Sequence, residues 1–239
     1  MPTLASEKDR PAGRAGEGRA LVARFETMIE ERGYPCVGAK GAIARGQVHA
    51  YVGRSIGSAW DDVPLAQQLG RFGRHYAEHR PLFTTFVALF PESPPLDEAA
   101  FEEALWDRIG SLQAKDDWLG QPTDPDVEGD PGSPMFSLSF GGQGFFVVGM
   151  HPEANRPARR FDCPVMVFNV HDQFERLRAD GRYEKMRETI LSRDAALAGS
   201  VNPMLARFGE ESEARQYSGR VVGPDWECPW PGRRKTGES

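Results

Sequence analysis

The sequence lacks most signatures that would assign it to a standard catalytic class. It contains no Gly-x-x-x-x-Gly-Lys-Ser/Thr loop and no GxGxxG after a strand, so no ready backbone cradle for nucleotide phosphates is present. HExxH, CxxC and GxSxG are also absent, which removes the zincin, dithiol and hydrolase-elbow chemistries. The three cysteines, Cys36, Cys163 and Cys228, form no close-spaced pair. That excludes a disulfide framework and a closed zinc site, and points to a reducing compartment. No apolar run reaches bilayer length, since Phe145–Met150 is only strand-length, so no membrane partner is expected. An excess of positive charge is missing too. Lys and Arg number 29 against 35 Asp and Glu, a net charge of −6, which argues against a general nucleic-acid binder. The first residues hold no apolar signal core, so the expected location is cytoplasmic.

Glycine (26) and proline (19) are plentiful among the 239 residues, which implies many loops. Residues 1–18 read as a disordered leader, 19–231 as one domain and 232–239 as a solvated tail. Helical periodicity marks Arg19–Arg32, Asp61–His79 and a helix from Asp97 to Leu112. Asp97 is its expected N-cap, with Leu96 stapled to Phe101. Strands are expected at Gln47–Val52, Leu82–Phe90 and Val165–Val170, with a hairpin from Met135–Phe140 to Gly144–Met150. Asp172 and Glu175 resemble a capping box before a short helix, and Tyr183, Met186, Ile190 and Leu197 mark another that closes at Gly199. Gln121–Pro134 is the longest internal loop and a candidate lid or insertion. Strands clustered in mid-chain predict an α+β fold: a single domain with a mainly antiparallel sheet flanked by helices and an irregular C-terminal arm. A doubly wound sheet is the alternative.

Between Gly149 and Trp230, polar residues are interleaved with short apolar runs at a density typical of a site. His151 follows FFVVGM at a strand end, where an imidazole can ligate a metal or satisfy backbone groups. His171 stands in the same position after VMVFNV, with a capping or supporting role as its plainer reading. His75 and His79 share a helix face, and His49 is expected to face solvent. Arg156, Arg159 and Arg160 offer forks for carboxylates, or simply form a basic loop. Glu210, Glu211 and Glu213 precede Arg215, Gln216 and Tyr217. There a carboxylate can hold a guanidinium and Tyr217 can order the site, or the loop is solvated. Cys228-Pro229 admits a thiolate–haem reading, or a Cys packed beside Trp226 and Trp230.

Six strings in this region, GMHP…RPARRFDCP, VFNVHDQFERLR, YEKMRETILSRD, GSVNPML, FGEESEARQYSGR and WECPW, resemble the YqcI/YcgG family. Fainter likeness extends back through LFTTFVALF and the helix after Asp97. The resemblance includes haem-dependent N-hydroxylases of guanidine compounds, so it implies a haem (iron) cofactor, a small arginine-like guanidine substrate, O₂ and an electron donor. On that resemblance His151 is the first-choice axial ligand and Cys228 the second, with Phe146 among the apolar walls. Arg159 and Arg160 would pair with propionates or a substrate carboxylate. Glu210 or Glu213 would hold the guanidinium, beside Arg215 and Asn202. His171 and Tyr217 would serve the chemistry, His171 as a hydrogen-bond donor. The alternatives are a non-catalytic haem carrier or sensor, and a cofactor-free metabolite-binding protein.

Overall fold

The computed structural model describes residues 12–204, 207–230 and 232; the other expected leader and tail residues lie outside it. In chain order the elements are α1 (Ala12–Glu30), α2 (Val37–Ile43), β1 (Val48–Val52), α3 (Asp62–His79), β2 (Thr85–Leu89), α4 (Glu98–Trp118), β3 (Leu138–Phe140), β4 (Gln143–Met150), β5 (Val165–Val170), α5 (His171–Ala179), α6 (Tyr183–Ala198) and α7 (Ala214–Tyr217). The five strands form one open sheet in the order β1-β2-β5-β4-β3. Only β1 and β2 run parallel, and the other pairs are antiparallel. The expected α+β domain with a mainly antiparallel sheet is therefore the fold observed.

Alternation along the strands divides the interior into two. Phe86, Ala88, Phe145, Val147, Met166, Phe168 and Val170 point to one face. There they meet Leu65, Leu69, Phe72 and Tyr76 of α3 and Phe101, Leu105, Trp106 and Ile109 of α4. Val87, Leu89, Met150, Val165 and Val167 point to the other face, where Leu21, Phe25 and Ile29 of α1 cover part of them. Burying an aliphatic or aromatic side chain contributes about 1.5–3 kcal/mol, so both faces stabilise the sheet. Only the first is filled along its whole length.

Local chemistry sets the element ends. Asp97 caps α4, accepting from Ala100 N at 2.8 Å, and Leu96 packs on the core as a staple should. The hairpin between β3 and β4 turns at Gly141 and Gly142, whose φ of 59° and 76° suits glycine. Gly149 faces α4 so closely that a Cβ would lie 2.6 Å from Leu105 Cδ1 and 2.8 Å from the Tyr217 carbonyl oxygen.

Four expectations change. α1 starts at Ala12, inside the stretch read as a leader, and α4 runs on to Trp118. The glycine-containing helix α2 was not expected; the Cys36 thiol caps it, accepting from Ala39 N at 3.3 Å. Asp172 does not cap α5, because the helix already begins at His171 with Val170 in the cap position. Its carboxylate instead takes the Tyr76 hydroxyl at 2.6 Å and the Arg80 guanidinium, tying α5 to α3. The Gln121–Pro134 loop is hydrogen-bonded to the β3–β4 hairpin. Asp124 accepts from Gly144 N at 2.6 Å, and Ser139 Oγ accepts from Asp124 N.

Candidate functional site

On the second sheet face, past the end of α1, the packing opens into a cavity of about 270 Å³. Thr85, Phe146, Val148, Val167 and Asn169 form its sheet wall, and Ala39, Ala42 and Ile43 of α2 its side. Met186, Ile190 and Leu191 of α6 lie opposite. α6 is a thin cover, since Asp194 is its single buried residue. Asp194 holds the Arg156 guanidinium at 2.6 Å, and Arg156 also donates to Ser200 O, so one buried ion pair anchors this helix. No residue of the Gln121–Pro134 loop lines the cavity.

Phe146, Arg159, His171, Asn202, Glu213 and Gln216, all singled out in the sequence, meet here. They come from four chain segments, and their polar groups form two poles. At one pole Arg159 donates to the carbonyls of Gly149 (2.9 Å), Gln216 (3.1 Å) and Tyr217 (3.2 Å). It has no ion pair with a carboxylate among the described residues. Burial pushes its pKa down to about 10, against the favourable charge of Asp194. Tyr34, which donates to Ala158 O at 3.2 Å, and Cys36 line the cavity at this end.

At the other pole Glu213 is 7% exposed and has one hydrogen bond, from Ser137 Oγ at 2.9 Å. Burial lifts its pKa to about 8, so the carboxyl group is largely protonated at neutral pH. His171 stands 3.3 Å from Glu175 through Nε2, and Phe208 lies on its ring at 4.3 Å. Burial lowers the His171 pKa and keeps the imidazole neutral. With the Nε2 proton directed at Glu175, Nδ1 carries a lone pair, and Nδ1 is buried without a hydrogen-bond partner. A carboxylate behind one ring nitrogen and a free lone pair on the other is the donor arrangement of an iron or metal ligand.

The other singled-out residues lie elsewhere. His151 is buried and stacks on Phe101 of α4 at 4.4 Å, with Nδ1 unpartnered and its pKa lowered by burial, and it does not line the cavity. Cys228 packs with Trp226 and Trp230 on the α4 side, where burial raises its thiol pKa to about 12. Arg160 donates to Ala154 O and Asn155 O. Glu210 is exposed and accepts from Arg207 N at 3.1 Å. Arg215 donates to Gly223 O and lies over Trp226. The Tyr217 hydroxyl donates to Phe145 O at 2.9 Å and accepts from Leu138 N at 3.0 Å, so it fastens α7 to the sheet. His49, expected in solvent, lies half-buried beside Phe72 and His75 in a separate groove. Among the described residues no three His, Cys, Asp or Glu side chains cluster as a metal-binding group. A haem asks for less, because one axial side chain suffices.

Sequence reasoning passed over Asp194, Gln173 and the Tyr34–Cys36 end. Asp194 was legible as an acid on the apolar stripe Tyr183, Met186, Ile190, Leu197, a place where an unpaired charge is costly.

Fold and site together define a single-domain α+β protein with one sheet face packed solid and the other hollow. The model of the YqcI/YcgG family matches residues 25–231, and the chain belongs to that family. No curated protein and no solved structure matches it. Among the described residues no helix is long and apolar enough to cross a membrane.

Proposed function

We propose that the cavity holds a haem and that the protein N-hydroxylates a small guanidine-bearing metabolite. One observation carries this reading: the neutral, buried His171, with Glu175 behind Nε2 and Nδ1 unpartnered, is among the residues that line an apolar cavity. On this reading His171, not His151, would hold the haem iron, because His151 stacks on Phe101 in the α4 core. Haem, when bound, supplies the oxygen chemistry that no side chain here can.

The chain supplies placement. Phe146, Val148 and Val167 exclude water. Arg159, spread over three carbonyls, has charge left for a carboxylate. Glu213 receives the guanidinium and gives up its proton as the cation arrives, since an adjacent positive charge favours the carboxylate. Asn202, whose Oδ1 is committed to Met204 N at 3.0 Å, presents its amide nitrogen.

Absorption spectra during haem addition test the assignment. A stoichiometric Soret band that His171→Ala abolishes and His151→Ala retains supports it. No band, or the reverse pattern, overturns it. Guanidine-dependent O₂ consumption with a chemical reductant then separates an oxygenase from a carrier that binds haem without turnover.

A further inference from the structure

Two exposed arginines lie over the ring of Phe83, a residue of the cavity wall. The Arg45 guanidinium, just past α2, lies 5.2 Å from the Phe83 ring centre, and that of Arg182, just before α6, lies 5.9 Å away. Neither has an ion pair with a carboxylate among the described residues. Arg45 donates to Gly41 O at 2.9 Å and keeps its remaining N–H groups for other partners. The Phe83 ring itself lines the cavity. A chain with a net charge of −6 therefore places two guanidinium groups, without carboxylate partners among the described residues, over a residue of the cavity wall.

The backbone here is held in an uncommon shape. Phe83 has a φ of 62°, a left-handed conformation that a bulky residue rarely adopts. Such strain persists where the surroundings enforce it, and it concentrates at ligand clamps. The enforcement is visible next door. The Gln173 amide takes both backbone groups of Thr84, accepting from N at 2.8 Å and donating to O at 2.9 Å. Thr84 Oγ1 donates to Gln47 O at 3.0 Å. Gly41 leaves room for the ring, since a Cβ there would meet Phe83 Cγ at 3.1 Å. Stacking on an aromatic face pre-orders a guanidinium and leaves its in-plane donors open to an anion.

We propose that Arg45 and Arg182, gathered on Phe83, form an anion clamp that receives the carboxylate of a ligand whose apolar body fills the cavity. The clamp serves either of two sources of that chemistry, the propionates of haem or a free apolar organic acid. It is separate from Arg159, which donates to backbone carbonyls at the Tyr34–Cys36 end of the cavity.

The test uses the full chain and two fluorescent probes, anilinonaphthalene sulfonate and its uncharged analogue phenylnaphthylamine. Arg45→Gln/Arg182→Gln is expected to weaken the sulfonate about ten-fold or more, the size of one charge-assisted hydrogen bond. Phenylnaphthylamine should bind both proteins equally, which also reports that the variant is folded around its cavity. Equal sulfonate binding by the two proteins overturns the clamp. So does equal weakening of both probes, or a preference that only Arg159→Gln removes. Haem and its dimethyl ester separate the sources. Haem affinity falling to that of the ester in the double variant assigns the clamp to propionates. If neither protein takes up haem but the sulfonate difference remains, the clamp serves a free acid and the oxygenase reading falls on its own.

Discussion

The two faces of the sheet differ in how they hold their buried charged side chains. On the α3/α4 face Arg108 is fully employed: it pairs with Asp62 and donates to Ile56 O and Ser58 O, while Lys115 also reaches Asp62 at 2.8 Å. On the α2/α6 face Arg159 has only carbonyls, Glu213 a single hydroxyl donor, and His171 a nitrogen with no partner. Leaving a buried polar atom unpaired costs about 1–3 kcal/mol, and both faces bear some of that cost. The α3/α4 face also keeps unpartnered atoms, Trp106 Nε1, Gln113 Nε2 and His151 Nδ1, but packs them into a filled core, whereas the α2/α6 face sets His171 beside a cavity.

The strongest way to break this contrast is truncation. Phe168→Ala on the filled face should cost about 3–5 kcal/mol, whereas Ile190→Ala over the cavity should cost about 1 kcal/mol or less. Urea unfolding reads both, and equal losses would mean that the two faces are packed alike. Arg156→Ala is the exception expected on the hollow face. It strands Asp194 inside and should cost about 3–5 kcal/mol, with the damage localised to α6 by proteolysis.

Glu213 sharpens the contrast through pH. Its folded pKa of about 8 lies above its unfolded value, so the native state holds the extra proton. This group's contribution is fully present at acid pH, declines as pH rises from the unfolded carboxyl range toward about 8, and is flat beyond. Glu213→Gln should remove that decline, on the order of a few kcal/mol, from the pH profile of denaturant midpoints. A guanidine ligand should release a proton on binding, seen as buffer-dependent heats in calorimetry. The smallest effect concerns filling. Ala88→Leu on the closed face should cost about 1–3 kcal/mol, while Ala39→Leu, facing the cavity, should stay within about 0.5 kcal/mol.

Most of the architecture was legible in sequence because its signals are local. Alternation in VMVFNV, the Asp97 cap and the Leu65–Tyr76 stripe each declare an element within a few residues. α2 escaped because two glycines and no apolar stripe hide a helix that tertiary packing imposes. Asp172 looked like a cap because its spacing to Glu175 fits one, yet Tyr76 and Arg80, nearly a hundred residues away, claim its carboxylate. The site divides similarly. His151 and His171 both end a buried strand, and sequence alone could not tell which face of the sheet each would join. Among the three neighbouring arginines Arg156 pairs with α6, Arg159 enters the cavity and Arg160 turns back on its own loop. Separate distant partners decide the first two, and short-range pattern carries no trace of them.

Amide hydrogen exchange with and without haem tests the central claim most directly. The account expects α4 to exchange slowly in both states. α2 and α6 should exchange much faster without haem and slow down selectively when it binds. An α6 as protected as α4 in the free protein, or protection gained around His151 and α4 instead, would contradict it.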